Sequence, residues 1–486
     1  MTLLEPSLRL LDSSLVEKMI TEARTVLAEI GIEFLGERAR QLLDEKGVKQ
    51  KDGRHLLPSS LIDEALKSVP SSFTMYDRDG VAVAELGRGG VNFVPGSSAL
   101  HYFDYEKDDA RHPTTDDFIH FTKVTDALPH MYATSTAFVP ADFPEEISDA
   151  WRLYLALRYS SKPCVTGAFS TETLSLMAHL LEAVRGSREA LAEKPLAIFS
   201  VCPSSPLRFT EATSDNLIEC AERKIPCELI GMPISGLVAP ATLIGSLIQH
   251  TVEDLSGVVL SQLANPGAPL LWGGSPAVFD IRCATTPLGA IESMMIASGY
   301  VQIGKALGLP TQCYMGSSDS KILDYQCGME TSWGLMMATM SGADSVSGPG
   351  MFELENCQSA EKLIIDNELC GQLHFLQKKL EPQEDFPAGP IMERLLKEKN
   401  LIIDEHTNKH RPSQRHDPTP IIDRADRKRW EKKGRTTVLE RAHAQIEKML
   451  KKHKPKELSS EMDEKLRAVM KKASEPYDVS AFASEL

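Results

Sequence analysis

Short apolar runs alternate with amphipathic segments between residues 91 and 380. The runs predict strands at residues 91–94, 131–136, 163–167, 196–202, 226–231, 269–272, 310–314 and 345–347. The segments predict helices at residues 115–128, 146–160, 171–184, 210–222, 241–263, 287–307, 326–342 and 357–380. Strands joined by helical crossovers lie parallel in one sheet, because each helix carries the chain back to the starting edge. The pattern therefore predicts an α/β protein.

Eight strand–helix units favour a closed (β/α)8 barrel, the TIM-barrel architecture, over an open sheet. An open nucleotide-binding sheet is also disfavoured, since no G-x-G-x-x-G follows the first predicted strand and no G-x-x-x-x-G-K-[ST] occurs. We therefore expect a barrel domain at residues 91–380 after a helical extension at residues 1–90. We expect residues 381–486 to form a helical tail that wraps the barrel or mediates oligomer contacts. Its basic stretch, residues 423–453, is read as a solvated face, with a docking face as the alternative.

Charge and cysteine pattern limit the functions open to the chain. A formal net charge of -15 leaves no positive surplus for binding phosphates, which argues against a nucleic-acid-binding protein. The nine cysteines lie apart with no C-x-x-C pair, as is usual in a reducing compartment. Residues 1–5 do not resemble a signal peptide, and no window reaches the roughly 20 apolar residues of a membrane span. The protein is therefore predicted to be cytoplasmic, without a nucleic-acid or membrane partner.

Aromatic and small residues gather at the carboxyl ends of the predicted strands, where barrel enzymes build their sites. Aromatic residues make up only 6% of the chain. Those at or near strand ends are Phe93, Tyr102, Phe103, Phe169, Trp272, Phe279 and Tyr314. Glycine and serine in the same loops let a large group approach the backbone. Such a mouth favours an organic cation, because an ammonium over an aromatic face gains about 0.5–2 kcal/mol per contact.

Glu228 lies inside an apolar predicted strand, between Cys227 and Leu229. Burying a carboxylate without a partner is costly, so this side chain either pairs with a cation of the protein or faces a bound cation. The sequence leaves both interpretations open. No G-x-S-x-G motif supplies an obvious nucleophile elsewhere in the chain.

Metal sites receive weak support, and none is predicted. A zinc site built from Cys202, Cys227 and Cys313 at strand ends is conceivable, but a buried cysteine is usually just a small apolar residue. His406 and His410 have the i, i+4 spacing of helical metal ligands. A following proline and polar neighbours predict that these histidines lie in a loop outside the barrel.

Several motifs resemble those of the trimethylamine methyltransferase family, in the same order along nearly the whole chain. In the barrel they are Pro95-Gly96-Ser97, Arg111-x-Pro-Thr114 with Asp117, Gly231-Met-Pro-Ile-Ser-Gly-Leu-Val-Ala-Pro240-Ala-Thr242, Ser318-Asp319-Ser320-Lys321 with Asp324, Gln326, Gly328 and Glu330, Ser341-Gly342-Ala343-Asp344, and Gly348-x-Gly350. In the tail they are His406-Thr407 with His410, Asp423-Arg424, Trp430 and Arg441-Ala442. Family members are (β/α)8 barrels, so the resemblance implies that fold.

The resemblance implies an enzyme that moves a methyl group from an amine to the Co(I) of a separate corrinoid protein. Trimethylamine enzymes of the family carry pyrrolysine in the barrel, whereas this chain has only ordinary residues there. Relatives without pyrrolysine typically demethylate quaternary amines such as glycine betaine, proline betaine, carnitine or γ-butyrobetaine. The expected donor is therefore a small quaternary amine. The expected cobalamin is carried by the partner, no cofactor is bound tightly, and a homo-oligomer is expected.

The predicted site residues follow from the strand ends and the family motifs. The expected substrate-binding residues are Phe93, Tyr102, Phe103, Glu228, Trp272, Phe279, Tyr314, Ser347, Gly348 and Gly350. The corrin ring is expected to approach along Gly96, Ser97, Gly231, Gly273, Gly274, Ser317 and Asp319. A substrate carboxylate has as candidate partners Arg111, Arg208, Arg282 and His101, or the backbone N–H groups of residues 348–350.

Two other functions stay open from the sequence. A zinc-dependent barrel could move a methyl group between a corrinoid and a thiol, and it would need three converging ligands. A non-catalytic relative could dock the corrinoid protein or sense an amine while leaving that amine intact.

Overall fold

The computed structural model describes residues 8–486, so the first seven residues of the predicted N-terminal extension lie outside it. The extension contains the helices that the sequence predicts and four hairpin strands that it does not. The elements are α1 (Ser13–Glu29), β1 (Glu33–Phe34), α2 (Glu37–Glu45), β2 (Lys49–Lys51), β3 (Arg54–Leu56), α3 (Ser59–Ser68), β4 (Phe73–Tyr76) and β5 (Ala82–Leu86). Strands β2 and β3 form an antiparallel hairpin around Asp52 and Gly53, which both have positive φ. The sequence predicts a turn at residues 47–54, and an Asp-Gly pair favours a hairpin turn, but the prediction of a helical extension missed the two short strands on either side.

The middle of the chain contains the eight predicted strands, together with seven further short strands and the helices between them. The strands are β6 (Asn92–Val94), β7 (His101–Asp104), β8 (Asp109–Arg111), β9 (Thr134–Ser135), β10 (Cys164–Thr166), β11 (Ala197–Val201), β12 (Arg208–Phe209), β13 (Cys227–Gly231), β14 (Ile234–Ser235), β15 (Leu270–Gly274), β16 (Ala277–Val278), β17 (Gln312–Tyr314), β18 (Ser345–Ser347), β19 (Met351–Phe352) and β20 (Cys357–Gln358). The helices are α4 (Thr115–Ala127), α5 (Ser148–Tyr159), α6 (Thr171–Arg185), α7 (Arg188–Glu193), α8 (Glu211–Arg223), α9 (Leu243–Ala264), α10 (Ile291–Ala306), α11 (Tyr325–Ser341) and α12 (Ala360–Leu376). The eight predicted strands are β6, β9, β10, β11, β13, β15, β17 and β18. The protein is a mixed α/β fold.

The central strands form two parallel sheets, ordered β15-β13-β11-β10-β9 and β17-β18-β6. Single parallel bridges connect the sheets at both edges. Phe93 of β6 bridges to Met131, just before β9, and Trp272 of β15 bridges to Thr311, just before β17. Followed from neighbour to neighbour, the eight strands return to the first, which is the order expected of a (β/α)8 barrel.

Side chains of β6, β10, β11 and β15, and of the two residues just before β9, share an inner apolar cluster with the hairpin β4–β5. Its members are Met75, Ala84, Leu86, Val94, Tyr132, Ala133, Val165, Ile198 and Leu271. The hairpin also bonds to backbone groups that precede the strands, because Tyr76 N–H donates to the Pro195 carbonyl and Arg78 N–H to the Ser161 carbonyl. The hairpin therefore covers the amino ends of the strands, which leaves the carboxyl ends for a site.

A further four-stranded sheet, ordered β19-β20-β7-β8, lies in segments that the sequence analysis interpreted as loops or helix. The predicted helix at residues 357–380 begins at Ala360 instead, because Cys357 and Gln358 pair with β19 and β7. Ser359 caps this helix by accepting a hydrogen bond from the Lys362 backbone N–H.

The tail consists of helices α13 (Gly389–Glu398), α14 (Glu405–Gln414), α15 (Arg427–Lys432), α16 (Val438–Lys452) and α17 (Ser460–Ser474). His406 and His410 lie in α14, so the predicted loop is wrong there. Asp404 caps that helix, and Pro412 is accommodated in its last turn. The basic stretch is likewise not wholly solvated, because α16 buries Ala442 and Ile446. Across residues 8–486, no helix combines the length and apolar character needed to span a membrane.

Candidate functional site

A cavity of about 310 Å³ lies at the carboxyl ends of the central strands. It is lined by Ser97, Ser98, Gly167, Phe169, Ser200, Cys202, Ile230, Met232, Ser275, Tyr314 and Glu355. Its volume is at the small end of the range for ligand pockets, which suits a small metabolite. None of the lining residues carries a positive charge, whereas one carries a carboxyl group. A larger cavity of about 600 Å³ lies on the N-terminal extension, beside Lys46 and Glu64, away from the strand ends.

Glu228 lies behind the cavity wall and is hydrogen-bonded to one residue of that wall. The Ser200 hydroxyl, which belongs to the wall, donates to Glu228 Oε1 at 2.6 Å. The side chain is buried, and Glu228 Oε2 has no hydrogen-bond partner among the described residues. Burial raises the pKa of Glu228 to about 7, against the lowering effect of the Ser200 hydrogen bond. No ion-pair partner within 4 Å was found in residues 8–486, so pairing with a cation of the protein is not supported.

Glu355 brings a second carboxyl group to the cavity. It lies in the turn between β19 and β20, where Glu353, Leu354 and Glu355 have φ values of 56°, 56° and 66°. Left-handed backbone costs roughly 1–2 kcal/mol for each residue other than glycine, so three in succession must be maintained by their surroundings. Hydrogen bonds from Glu353 N–H to the Ser320 carbonyl and from Leu354 N–H to the Ser318 carbonyl provide that support.

Burial raises the pKa of Glu355 to about 8, and the nearby charge of Asp319 raises it further in the same direction. Glu355 is not among the predicted site residues, because no local pattern marks a left-handed turn made without glycine. Strained backbone and a raised carboxyl pKa in one cavity are typical of functional sites.

Tyr314 and Phe169 supply the aromatic faces of the cavity. The Tyr314 hydroxyl accepts a hydrogen bond from Ser97 N–H at 2.6 Å, which holds the ring against the first strand's loop. Phe169 follows β10 and remains 59% exposed, so its ring is only partly packed. Two aromatic rings and two carboxyl groups around a small volume can stabilise an organic cation.

Phe93 and Trp272 lie on the helix-facing side of their strands, which corrects their predicted role in substrate binding. Phe93 is buried against His374 of α12, with ring centroids 5.2 Å apart. The Trp272 Nε1 donates to the Tyr300 carbonyl of α10 at 3.1 Å. Successive strand residues point to opposite faces of the sheet. Phe93 and Trp272 are each next to an inward-facing residue, Val94 and Leu271, so their own rings face outward.

Three other predicted aromatic residues lie outside the cavity lining. Tyr102 packs on Phe138, with ring centroids 5.1 Å apart, and Phe103 packs edge-on against Phe352 of the β19–β20 hairpin. Phe279 is part of the loop after β16, where its N–H donates to the Ser235 carbonyl. These rings support the rim instead of lining the cavity.

The strand glycines predicted for corrin approach are required by close packing. A Cβ at Gly231 would lie 2.7 Å from Asp254 Oδ1, and one at Gly274 would lie 2.6 Å from His250 Nε2, both on α9. A Cβ at Gly273 would meet the Gln312 side chain at 2.5 Å. These contacts explain the glycines without any approaching ring.

Residues of the loops after the first and the last two strands pack closely on one another. A Cβ at Gly96 would meet Met351 at 2.7 Å, and one at Gly348, whose φ is 121°, would meet the Gly316 and Ser317 backbone at 2.7 Å. Ser317 is buried beside this contact. The structure thus uses these small residues to join neighbouring loops at the mouth.

Polar residues after the last two strands are engaged within the protein. Ser347 is buried and receives a long hydrogen bond of 3.4 Å from Gln312 Nε2. Gly350 N–H donates to Asp366 Oδ2 at 2.7 Å, so it is not free for a substrate carboxylate. Asp319 accepts from Leu288 N–H, and burial raises its pKa to about 6.

None of the four side chains predicted to bind a substrate carboxylate lines the cavity. Arg111 is held by Asp104 and Asp117, and His101 Nδ1 is hydrogen-bonded to the Asn356 side chain. Arg282 is 83% exposed and pairs with Asp280, while Arg208 belongs to β12, which pairs with β1 of the extension. The prediction that one of these four side chains binds a substrate carboxylate is therefore not supported by their positions.

Residues 8–486 contain no group of three or more His, Cys, Asp or Glu side chains arranged to hold a metal. Cys202 lines the cavity, whereas Cys227 and Cys313 are buried in the core between sheet and helices. The three cysteines therefore do not converge, and the zinc-site alternative loses its structural basis.

Comparison with known proteins shows similarity along nearly the whole chain. The model of the family described as trimethylamine methyltransferase (MTTB) matches residues 3–476. Glycine betaine methyltransferase of Desulfitobacterium hafniense strain Y51 is 29% identical over 466 residues, covering 95% of this chain and 96% of that protein. Trimethylamine methyltransferase MttB of D. hafniense strain DCB-2 is 26% identical over 462 residues, covering 95% and 93%.

A solved structure supports the fold independently. The crystal structure of the Methanosarcina barkeri monomethylamine methyltransferase matches with a TM-score of 0.53 at 13% identity, covering 90% of this chain and 88% of that one. At such low identity the likeness concerns the fold alone. The family match across the chain is what decides membership: the protein belongs to the trimethylamine methyltransferase (MTTB) family and is a methyltransferase.

Proposed function

We propose that this protein transfers a methyl group from a small quaternary amine to the Co(I) of a separate corrinoid protein. The observation that carries the proposal is the cavity with Glu355 and Tyr314 in its wall and Glu228 directly behind it. A site of this charge and aromatic character favours a cation over an anion. The 29% identity to a glycine betaine methyltransferase supports the quaternary-amine class.

The chemistry of this donor class needs no acid or base from the protein. When the N–CH₃ bond breaks, its electron pair stays on nitrogen and a neutral tertiary amine leaves. The corrinoid supplies the nucleophile that accepts the methyl group. The protein's contribution is to hold the ammonium in line and to exclude water, which is the orientational part of catalysis.

The two carboxyl groups fit binding better than proton transfer. With pKa values raised to about 7 and about 8, Glu228 and Glu355 are partly protonated near neutral pH. An entering ammonium stabilises their ionised forms, so cation binding and proton release are coupled. The carboxylates then compensate the charge that the substrate brings into a buried site.

The eight-strand circuit supports placing this site in the mouth of a (β/α)8 barrel. In such barrels the loops at the carboxyl ends form the opening through which a partner reaches the substrate. We propose that the corrinoid protein docks at this opening, past Ser97 and Ser317, and that the enzyme works in the cytoplasm as a homo-oligomer without a tightly bound cofactor.

The test follows the absorbance of a corrinoid protein reduced to Co(I), mixed with the purified enzyme and one methylated amine at a time. We expect loss of the Co(I) band with a quaternary amine, together with one equivalent of its demethylated product by mass spectrometry. Trimethylamine is the matched control for tetramethylammonium, since it has one methyl group fewer and is cationic near neutral pH only through a bound proton. No turnover with any quaternary amine, despite demonstrated docking of the corrinoid protein, would favour the non-catalytic alternative.

A further inference from the structure

Arg152 is a buried guanidinium that forms no ion pair with the described residues, although the charge of Asp149 on the same helix partly compensates its own. It lies on α5, its side chain is fully buried, and no Asp or Glu oxygen of residues 8–486 was found within 4.0 Å of it as an ion pair. Arginine is rarely buried to this degree unless it is paired. Asp149, on the same helix, is committed elsewhere, because its Oδ2 accepts from Phe169 N–H and from the Thr173 hydroxyl, both at 2.8 Å.

The hydrogen bonds of Arg152 leave one nitrogen unused. Nε donates to the Ser148 carbonyl at 3.3 Å, and Nη1 donates to the Thr136 carbonyl at 3.0 Å and to Ser98 Oγ at 3.2 Å. Nη2 is buried and has no hydrogen-bond partner within residues 8–486. An unsatisfied buried donor of a charged group is expensive, so Nη2 needs a polar partner, which a bound ligand can supply.

Arg152 lies directly behind the wall of the substrate cavity. Both Ser98, which accepts from Nη1, and Phe169, whose ring centroid is 5.3 Å from the guanidinium carbon, line that cavity. Ser98 has a left-handed φ of 64° and is held by its N–H bond to the Thr136 carbonyl, the same carbonyl that accepts from Arg152. Strained backbone therefore presents the Ser98 hydroxyl between the guanidinium and the cavity.

The arrangement mirrors the acidic side of the site. There, Ser200 of the wall is bonded to the buried Glu228 carboxylate, which has an unpartnered oxygen. Here, Ser98 of the wall is bonded to the buried Arg152 guanidinium, which has an unpartnered nitrogen. A ligand with a positive and a negative group would satisfy both.

We propose that Arg152 and the Ser98 hydroxyl form an anion subsite that binds the carboxylate of a zwitterionic substrate. The carboxylate accepts from Ser98 Oγ and, once the partly exposed Phe169 ring turns aside, from Arg152 Nη2. The inference rests on the proposed quaternary-amine function and narrows it to donors with a carboxylate. It also supplies the carboxylate partner that the sequence analysis sought among four other side chains.

The first test varies the ligand and leaves the protein unchanged. Calorimetry compares glycine betaine with its methyl ester and with choline, which keep the quaternary nitrogen but lack the carboxylate. We expect binding of glycine betaine at least tenfold tighter than of either analogue. Equal affinity for all three would overturn the anion subsite. Because binding needs no corrinoid, this result stands apart from the turnover assay on which the proposed function depends.

The second test compares Arg152→Met and Arg152→Lys with Arg158→Met, which removes another arginine of α5 that pairs with Asp463. Arg152→Met should raise the glycine betaine Kd at least tenfold and change the choline Kd less than threefold, with Arg152→Lys intermediate. Arg158→Met should leave both unchanged. Equal loss for both ligands in Arg152→Met, at an unfolding temperature matching Arg158→Met, would overturn the proposal. If Arg152→Met does not fold, the ligand comparison in the unchanged protein decides.

Discussion

The inner and outer faces of the central strands differ in what they contribute. Glu228 and Trp272 lie on neighbouring strands, one register step apart, since Glu228 pairs with Leu271 and Trp272 pairs with Leu229. Glu228 faces inward toward the cavity wall, whereas Trp272 faces α10. Both are almost completely buried. Burial alone therefore does not distinguish a binding residue from a packing residue, while the face of the strand does.

The largest expected effect is on stability, and it comes from a residue on the outer face of the strands. Trp272→Ala should lower the free energy of unfolding by about 3–5 kcal/mol, because it leaves a large cavity beside α10 and removes the hydrogen bond to the Tyr300 carbonyl. The affinity for a quaternary amine should change less than threefold at a temperature where the variant is folded. Denaturant unfolding and calorimetric binding measure the two quantities, and Trp272→Phe is the milder control. If Trp272→Ala kept its stability but lost its affinity for the amine, Trp272 would be a binding residue and not a packing residue.

On the inner face, Glu228→Gln should increase stability above pH 7. Folding raises the pKa of Glu228 from an ordinary 4.5 to about 7, so the folded chain holds this proton more tightly than the unfolded one. Stability therefore falls as the pH rises from about 4.5 to 7, by about 3 kcal/mol in all. Glutamine has no such penalty, so the variant should gain stability at pH 8 and little at pH 5. Urea unfolding at both pH values checks the sign.

The same Glu228→Gln substitution should weaken binding of a quaternary amine 10- to 100-fold, since it removes a buried negative charge facing the cation. The loss should appear mainly in KM, because the carboxylate contributes to binding. An increase in stability together with a loss of affinity is the signature of a functional residue. Unchanged affinity would mean that Glu228 serves the architecture alone.

Binding of the cation should depend on pH with a defined sign. Glu228 and Glu355 must lose their protons to compensate the ammonium, so the Kd should fall as the pH rises from 6 to 8.5, by about tenfold. Calorimetry at pH 7 in two buffers of different ionisation enthalpy should detect proton release on binding. Glu355→Gln should reduce the number of protons released. A Kd that is constant over this range would show that the carboxyl groups are already ionised or do not meet the ligand.

The smallest expected effect separates the ring of Tyr314 from its hydroxyl. Tyr314→Leu should weaken cation binding by about 1 kcal/mol, roughly fivefold, because the aromatic face is lost. Tyr314→Phe keeps the face and loses the hydroxyl, with its hydrogen bond from Ser97 N–H and its weak one to Met351 Sδ, so binding should change less than twofold. Paired Kd measurements decide the matter. Equal losses in both variants would assign the effect to the hydroxyl.

Strand positions could be predicted well from the sequence, and strand faces could not. All eight predicted strands are present, because each is a short apolar run bounded by turn residues. A strand buried on both sides, however, is apolar at every position, so no alternation reveals which residues point inward. For this reason Phe93 and Trp272 were placed at the site, while Glu228 and Tyr314 could be placed there only by their chemistry and strand-end position.

Residues brought in by helices and hairpins were beyond the reach of strand-end reasoning. Arg152 comes from α5 and Glu355 from a left-handed turn in a hairpin that local sequence did not indicate. The tail histidines were missed for a local reason, since Asp404 caps α14 and Pro412 falls within its last turn. Arg152 and Glu355, by contrast, are placed at the cavity by parts of the chain that lie far from it in sequence.

The sequence by itself determined the alternation of strands and helices, the family, and the presence of a carboxyl group inside a strand, because these follow from local periodicity and motif order. Only the tertiary structure decided which side chains share the cavity. Glu228 and Arg152 each lie behind the wall and are hydrogen-bonded to one serine of it, and they come from segments far apart in the chain. Their spatial relation depends on the closing of the strand circuit, which no local pattern encodes.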